Sequence, residues 1–522
     1  MAAGQGGTTD ATPAATMNTK PWHANVAGVL WDAAVARPDR PALIERTSVC
    51  DYRTLRQRTA AVAATLAALD LRPGDRVGVF LDGTADAVAA FFGVLATGGI
   101  AIVINESLRP RQVEHMLENA AARYLITSGA LLDRQPRPLE TRCTLVDVDS
   151  IDGAATFEPV MRLGTDPAQI CFTSGSTGLP KGVTVTHGNL RAVMESVVTY
   201  LGITNQDRIA SILPFSFVYG MNQVLCAVGT GAALVIERSP LATDLVANLR
   251  AREVTVLAAV PPLWTQLLKV PAFRDDALPS LRIVTNAGGH LPVKAVRALR
   301  QSQPQAQLFL MYGLTEVLRS TYLSPDEVDR RPDSIGRAIP GAEVFVLRED
   351  LTPCAPGETG ELVHRGPTVT LGYWNDPEGT ARVFRPNPVR AAGVPDGERV
   401  VFSGDLVRRD EEGFLYFVGR RDRLIKTLGY RVSPDEIANV LSGSGEIAEC
   451  VVTSEPDEQR GERIVAFVVL AGGGSLDRLK AYCGTELPRH MQPARFEVRS
   501  ALPRLPSGKH DVAAVREGRN TA

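Results

Sequence analysis

Between Trp22 and about Arg421 the chain alternates amphipathic helical segments with short β-branched runs, a rhythm that admits few folds. A helical pattern over 52–69 leads through Arg72-Pro73-Gly74-Asp75 to a strand at 76–80, RVGVF, and a second helix over 85–95 leads to IAIVI at 100–104. Strands separated by helices pair in parallel, and a parallel sheet needs helices on its faces. Glycine and proline become dense between Pro353 and Gly397, where GELV at 360–363 reads as a short strand of a β-rich subdomain. Beyond the charged RRDR at 420–423 the pattern changes. Ser433-Pro434-Asp435-Glu436 forms a capping box with proline at the first helical position, predicting a helix through Leu441; strands at 448–453 and 464–470 and a helix at 476–482 follow.

The expectation is an α/β protein in three parts. A disordered tail covers 1–20, a large N-terminal domain of helix-covered sheets with a β-rich subdomain covers 21–421, and a small α+β domain covers 422–522. Its 522 residues are ample for several cores. Two uncharged stretches, 87–104 and 209–236, need weighing as membrane spans. Gly98-Gly99 breaks the first; Pro214, Gly220, Asn222, Gly229 and Gly231 break the second, so both predict buried helix, turn and strand.

Charge excludes one class of partner. With 56 basic and 58 acidic residues, net −2, no electrostatic footprint for nucleic acid exists. The seven cysteines contain no C-x-x-C pair, and the N-terminus lacks a basic region followed by an apolar core, which predicts a reducing, cytoplasmic setting. Arginine is the default cation, since only Lys20, Lys181, Lys269, Lys294, Lys426, Lys480 and Lys509 are lysine. A lysine is a compact, mobile point charge that arginine's rigid fork cannot replace.

The strongest local signal is ICFTSGSTGLPKG at 170–182. The hydroxyls of Thr173, Ser174, Ser176 and Thr177, with backbone amides freed by Gly175 and Gly178, can wrap phosphate oxygens, and Lys181 adds positive charge. Pro180 and Gly182 depart from the Walker pattern, and a helix capped by Asn189 is expected next. A flexible polar linker is the alternative.

At this string the chain resembles the adenylate-forming superfamily of acyl-CoA synthetases, peptide-synthetase adenylation domains and beetle luciferases, from about residue 25 to 515. The resemblance implies a nucleotide role for each ordered motif. Gly288, Gly289 and His290 match the adenine-side loop. In MYGLTE at 311–316, Tyr312 would stack on adenine beside Gly313, Thr315 would touch the α-phosphate, and Glu316 would hold Mg²⁺. Asp405 matches the ribose site, and Arg420 would support the same ribose. Asp422 falls on the hinge of a mobile small domain, Gly429 on the thiol tunnel, and Arg431 near the AMP phosphate. Lys509, in LPRLPSGK at 502–509, would bridge the substrate carboxylate and the α-phosphate; Leu505 and Val512 depart from the usual threonine and arginine. Lys181, Lys426 and Lys509 all fall inside motifs.

The family's acyl pocket maps to LPFSFVYGMN at 213–222, giving Phe215, Phe217, Val218, Tyr219, Gly220 and Asn222 as candidate lining. No acidic residue occurs between Asp207 and Glu237, so the carboxylate that holds an α-amino group in amino-acid-activating relatives is missing. An apolar acyl or aryl acid is expected. Phe217 stands where many acyl-CoA synthetases carry histidine. The implied cofactors are ATP, Mg²⁺ and CoA, or the phosphopantetheine of a carrier protein. No carrier domain follows Lys509 in this sequence. Three readings stand: an acid:CoA ligase first, a ligase loading a separate acyl or peptidyl carrier protein second, and a non-catalytic nucleotide-binding relative third.

Overall fold

The computed structural model describes residues 24–151, 153, 155–173, 180–289, 291, 293–395, 397–420, 425–432, 434–503, 510 and 512–518. The expected tail over 1–20 and the expected boundary at 421/422 lie outside the described residues. The larger of two big sheets is built on parallel strands in the order Pro41–Ile44, Ala233–Ile236, Arg208–Ser211, Val256–Ala259, Ile283–Asn286 and Gln307–Tyr312. Beyond Gln307–Tyr312 the sheet turns antiparallel through Thr321–Leu323 and Ser334–Ala338. It continues through Leu415–Arg420, Arg399–Arg409, Thr359–Arg365 and Glu343–Leu347, which form the β-rich part.

The second sheet pairs Ile100–Ile104, Arg76–Phe80, Tyr124–Thr127 and Thr144–Asp147 in parallel. Pro167–Thr173 joins it in parallel, and Lys181–Thr186 and Gly372–Tyr373 close that edge antiparallel. A third, smaller sheet holds Ile425–Thr427, Tyr430–Val432, Ile447–Asp457, Gly461–Leu470 and Arg495–Val498, with helices Pro434–Ser442 and Leu476–Glu486. The fold is thus α/β, with helix-covered sheets, a β-rich part and a small α+β unit.

Burial follows from the residue pattern. Every residue of Ala233–Ile236 and Val256–Ala259 is buried, as strands covered on both faces require. Helix Tyr52–Ala68 starts where the Asp51 carboxylate accepts the Thr54 N–H at 2.7 Å, and packs on helix Ala85–Ala96. Gly93 permits that approach, since a Cβ there would lie 2.7 Å from Val62 Cγ1. The two uncharged stretches resolve as expected, into helix Ala85–Ala96 with strand Ile100–Ile104, and into Arg208–Ser211, helix Val218–Thr230 and Ala233–Ile236. No helix among the described residues is long and apolar enough to cross a membrane.

One cap differs from expectation. Helix His187–Leu201 is capped by Thr186, whose hydroxyl accepts the Asn189 N–H at 3.0 Å; Asn189 sits three residues in and closes the box from the other side. Its amide also donates to the carbonyls of Pro367 and Val369, so a distant loop drew it inward. The Ser433 cap lies outside the described residues, and helix Pro434–Ser442 follows it.

Candidate active site

Strand ends converge on one cavity of about 440 Å³. Gln307–Tyr312 ends at its wall, and the next residues, Gly313 to Glu316, line it. The Tyr312 hydroxyl donates to Asp405, a carboxylate only 1% exposed, so the residues expected at adenine and at ribose touch one another. Asp405 is fixed in turn: its N–H donates to the Ser403 hydroxyl at 3.0 Å, and that hydroxyl donates to the Leu362 carbonyl at 2.6 Å. In the sheet Asp405 stands directly opposite Arg420.

Glu316 sits in a single 3₁₀ turn, Thr315–Val317. One carboxylate oxygen accepts the Tyr373 hydroxyl at 2.7 Å, and the other has no partner among the described residues. Thr173 and Lys181 stand opposite each other across the antiparallel pair that the phosphate loop joins; Ser174, Gly175, Ser176, Thr177 and Gly178 lie outside the described residues. Lys181 Nζ is 2.8 Å from Asp376 and 5.2 Å from the Tyr373 ring centre. That ammonium holds the Asp376 carboxyl below the usual carboxylate range. Tyr373 and Asp376 were not among the sequence candidates, having no motif of their own.

The acyl segment divides at the start of helix Val218–Thr230. Phe217, Val218 and Tyr219 line the cavity. Phe215 and Gly220 do not. Phe215 is buried in the main core beneath the Arg238 guanidinium, and a Cβ on Gly220 would lie 2.1 Å from the Pro214 carbonyl oxygen, so that glycine serves a tight turn. Asn222 lies a turn deeper, on a small adjoining cavity of about 20 Å³ that it shares with Tyr219 and Arg319. Sequence reading missed Arg319, which alone resembles a surface charge.

The small unit completes the wall. Leu428 and Gly429, both at positive φ (53° and 81°), turn Ile425–Thr427 into Tyr430–Val432. A Cβ on Gly429 would lie 3.0 Å from Val260, and one on Gly288, at φ 80°, would lie 3.7 Å from the Gly429 carbonyl oxygen. The two glycine turns therefore meet backbone to backbone. Gly289 stands next to Gly288 on the cavity wall, and His290 lies outside the described residues. Tyr430 stacks on His490 with ring centres 3.5 Å apart and meets Phe217 edge-on at 4.5 Å. Burial pushes the Tyr430 phenol up to about 12 and the His490 imidazole down to about 3, so both are neutral. Asp422, Lys509 and the side chains of Arg420 and Arg431 lie outside the described residues.

A family model for AMP-binding enzymes matches residues 30–374, and one for the AMP-binding enzyme C-terminal domain matches 436–509. The chain belongs to the AMP-binding enzyme family, within the adenylate-forming superfamily its motifs resemble. It is 31% identical to novobiocin biosynthesis protein H of Streptomyces niveus over 93% of this chain and 81% of that one. It is 29% identical to 2-succinylbenzoate–CoA ligase of Bacillus velezensis over 92% and 96%. Against one component of the linear gramicidin synthase of Brevibacillus parabrevis, 30% identical, it spans only 6% of the relative's length. Among solved structures, an o-succinylbenzoate CoA synthetase double mutant from Bacillus subtilis, bound with a product analogue, OSB-NCoA, superposes with TM-score 0.83 at 27% identity, covering 94% and 98% of the two chains. The synthetase from the same organism in complex with its acyl-adenylate intermediate gives 0.69 at 28% identity, covering 94% and 97%.

Proposed function

We propose that the chain is an AMP-forming acid–thiol ligase, acting in two half-reactions on a carboxylic acid with an apolar body. One observation carries the reading: a single cavity is lined by the nucleotide motif (Tyr312, Thr315, Glu316), the acyl segment (Phe217, Val218, Tyr219) and the small-unit turn (Gly429, Tyr430). A carboxylate is a poor electrophile. Its oxygen attacks the α-phosphorus of ATP, pyrophosphate leaves with the bonding pair, and the acyl-AMP formed has a good leaving group. A thiol sulfur then attacks the acyl carbon, loses its proton, and AMP departs.

Asp405 would hold the ribose hydroxyls, Thr315 the α-phosphate, and Lys181 with the 174–178 loop the distal phosphates. Lys509 would bridge carboxylate and phosphate in the first step, and Arg431 would neutralise AMP in the second. Mg²⁺ entering with the triphosphate would supply charge neutralisation. The unpartnered oxygen of Glu316 fits it, since this cation takes one or two carboxylates and otherwise phosphates and water. The stacked aromatic turn would exclude water from a hydrolysable anhydride.

The pose supports the second half-reaction as the one captured. Gly429 and Tyr430 line the cavity, and the likeness to the relative bound with its product analogue exceeds that to the relative bound with its acyl-adenylate. Since Lys509 and Gly429 both follow the proposed hinge at Asp422, presenting the lysine requires the 422–522 domain to rotate. Pyrophosphate release measured over a panel of acids and free amino acids, followed by CoA or a phosphopantetheinylated carrier protein as acceptor, tests the reading. Acid-dependent pyrophosphate followed by a CoA thioester is expected. A thioester on carrier protein alone would select the second acceptor, and no acid-dependent pyrophosphate would overturn the proposal.

A further inference from the structure

Arg319 is 3% exposed, yet lines both the main cavity and the small one beneath it. Its guanidinium lies 4.8 Å from the Tyr219 ring centre and has no hydrogen-bond or ion-pair partner among the described residues; Nε is wholly buried without one. The Tyr219 hydroxyl is already spent on Thr285, at 2.6 Å from its hydroxyl and 2.9 Å from its carbonyl. Glu316, three residues before, is oriented by Tyr373. The 213–222 segment offers no acid.

A buried guanidinium does not shed its proton, so an unpaired one is among the costliest groups a protein can enclose. A ring face offsets only part of that cost. A second donor shares the small cavity: Asn222 Nδ2 is buried and has no partner among the described residues.

The backbone aims Arg319 at a cost of its own. Leu318 has φ 56° and ψ −49°, and the Arg319 N–H bonds back to the Val317 carbonyl at 2.5 Å, a γ-turn of the strained hand on a branched residue. Such strain persists where surrounding structure enforces it, and it gathers at ligand sites. Without this turn the chain leaving Glu316 would not reverse into the wall at Arg319.

We infer that the acid activated here carries a second carboxylate at the far end of its apolar body, received by Arg319 with Asn222 beside it. The inference rests on the proposed ligase activity and narrows its substrate to a diacid. Phe217, Val218 and Tyr219 contact the apolar middle, and the reacting carboxylate stays near Thr315 and Glu316. The same guanidinium repels an α-ammonium, which adds to the missing acid in the segment as a reason for rejecting amino acids.

The test compares pairs of acids matched in length and differing only in the far group, such as suberic against octanoic acid and a phenylene diacid against its monoacid. Pyrophosphate release gives kcat/KM for each. The wild-type ratio of diacid to monoacid should exceed ten for at least one pair, drop below one in Arg319→Met, and recover in part in Arg319→Lys. An ATP-induced rise in melting temperature checks that each variant is folded; if Arg319→Met does not fold, the wild-type ratios decide alone. Monoacids favoured by the wild type in every pair would overturn this inference and leave the ligase reading standing. Absence of acid-dependent pyrophosphate release with every acid would overturn both.

Discussion

Tyr430 of the small α+β unit meets Phe217 of the acyl segment edge-on, with ring centres 4.5 Å apart and planes at 69°. On its other side Tyr430 lies against His490 from the same unit. Phe217, which lines the cavity at the start of helix Val218–Thr230, is thus also a contact point of the small unit. Phe217→Ala removes an aromatic pair worth about 0.5–1.5 kcal/mol beyond the area it buries. Thioester formation from supplied acyl-AMP should slow roughly 2- to 10-fold while pyrophosphate release changes less. Equal slowing of both would mean that Phe217 acts on the acid alone.

Lys509 is expected to serve only the first half-reaction. Lys509→Ala should lower acid-dependent pyrophosphate release on the order of 10²-fold or more, as for loss of a charge that acts in the transition state. Conversion of supplied acyl-AMP to thioester should persist. Comparable damage to both steps in separate assays contradicts the assignment.

The hinge assignment is open to a backbone test. Asp422→Pro fixes φ near −65° and removes an N–H, restricting rotation at that position. The mutant should retain adenylation better than thioester formation, so acyl-AMP accumulates on the enzyme and can be trapped by acid quench. Unchanged thioester turnover would place the hinge elsewhere.

Glu436 gives the fold a pH dependence. It is 5% exposed on the cavity wall, and burial pushes its carboxyl from 4.5 up to about 8, with the Arg111 guanidinium opposing. The folded state therefore favours the protonated form. Its contribution is complete below the ordinary value of 4.5 and is lost as pH rises through about 8. Glu436→Gln keeps a neutral group there, so the melting temperature of wild type relative to this variant should fall steadily between pH 5 and about 8.5. A difference that stays flat across that range would show that the carboxyl is solvated.

Much of the molecule was legible from local chemistry. Strand and helix periods identified the segments around 52–104 and 209–236, because the faces of these elements must alternate or wind toward a core whatever packs against them. The nucleotide motif could be read because Gly313, Thr315 and Glu316 lie within four residues in sequence and remain together in any fold. Phe215 and Phe217 could not be separated in the same way. Both are aromatic and two residues apart, and only the position of helix Val218–Thr230 sends one into the core and the other into the cavity.

The sequence by itself determined the α/β alternation, the order of the motifs and the absence of an acidic partner in the acyl segment. Tertiary structure decided which side chains meet there. Tyr373 reaches Glu316 across 57 residues, and Asp376 reaches Lys181 across 195. Arg319 enters the pocket through a γ-turn that no residue type announces. Period and turn chemistry follow from a residue's own sterics, but a contact between distant residues requires closing a long loop, and its geometry is set by everything packed between.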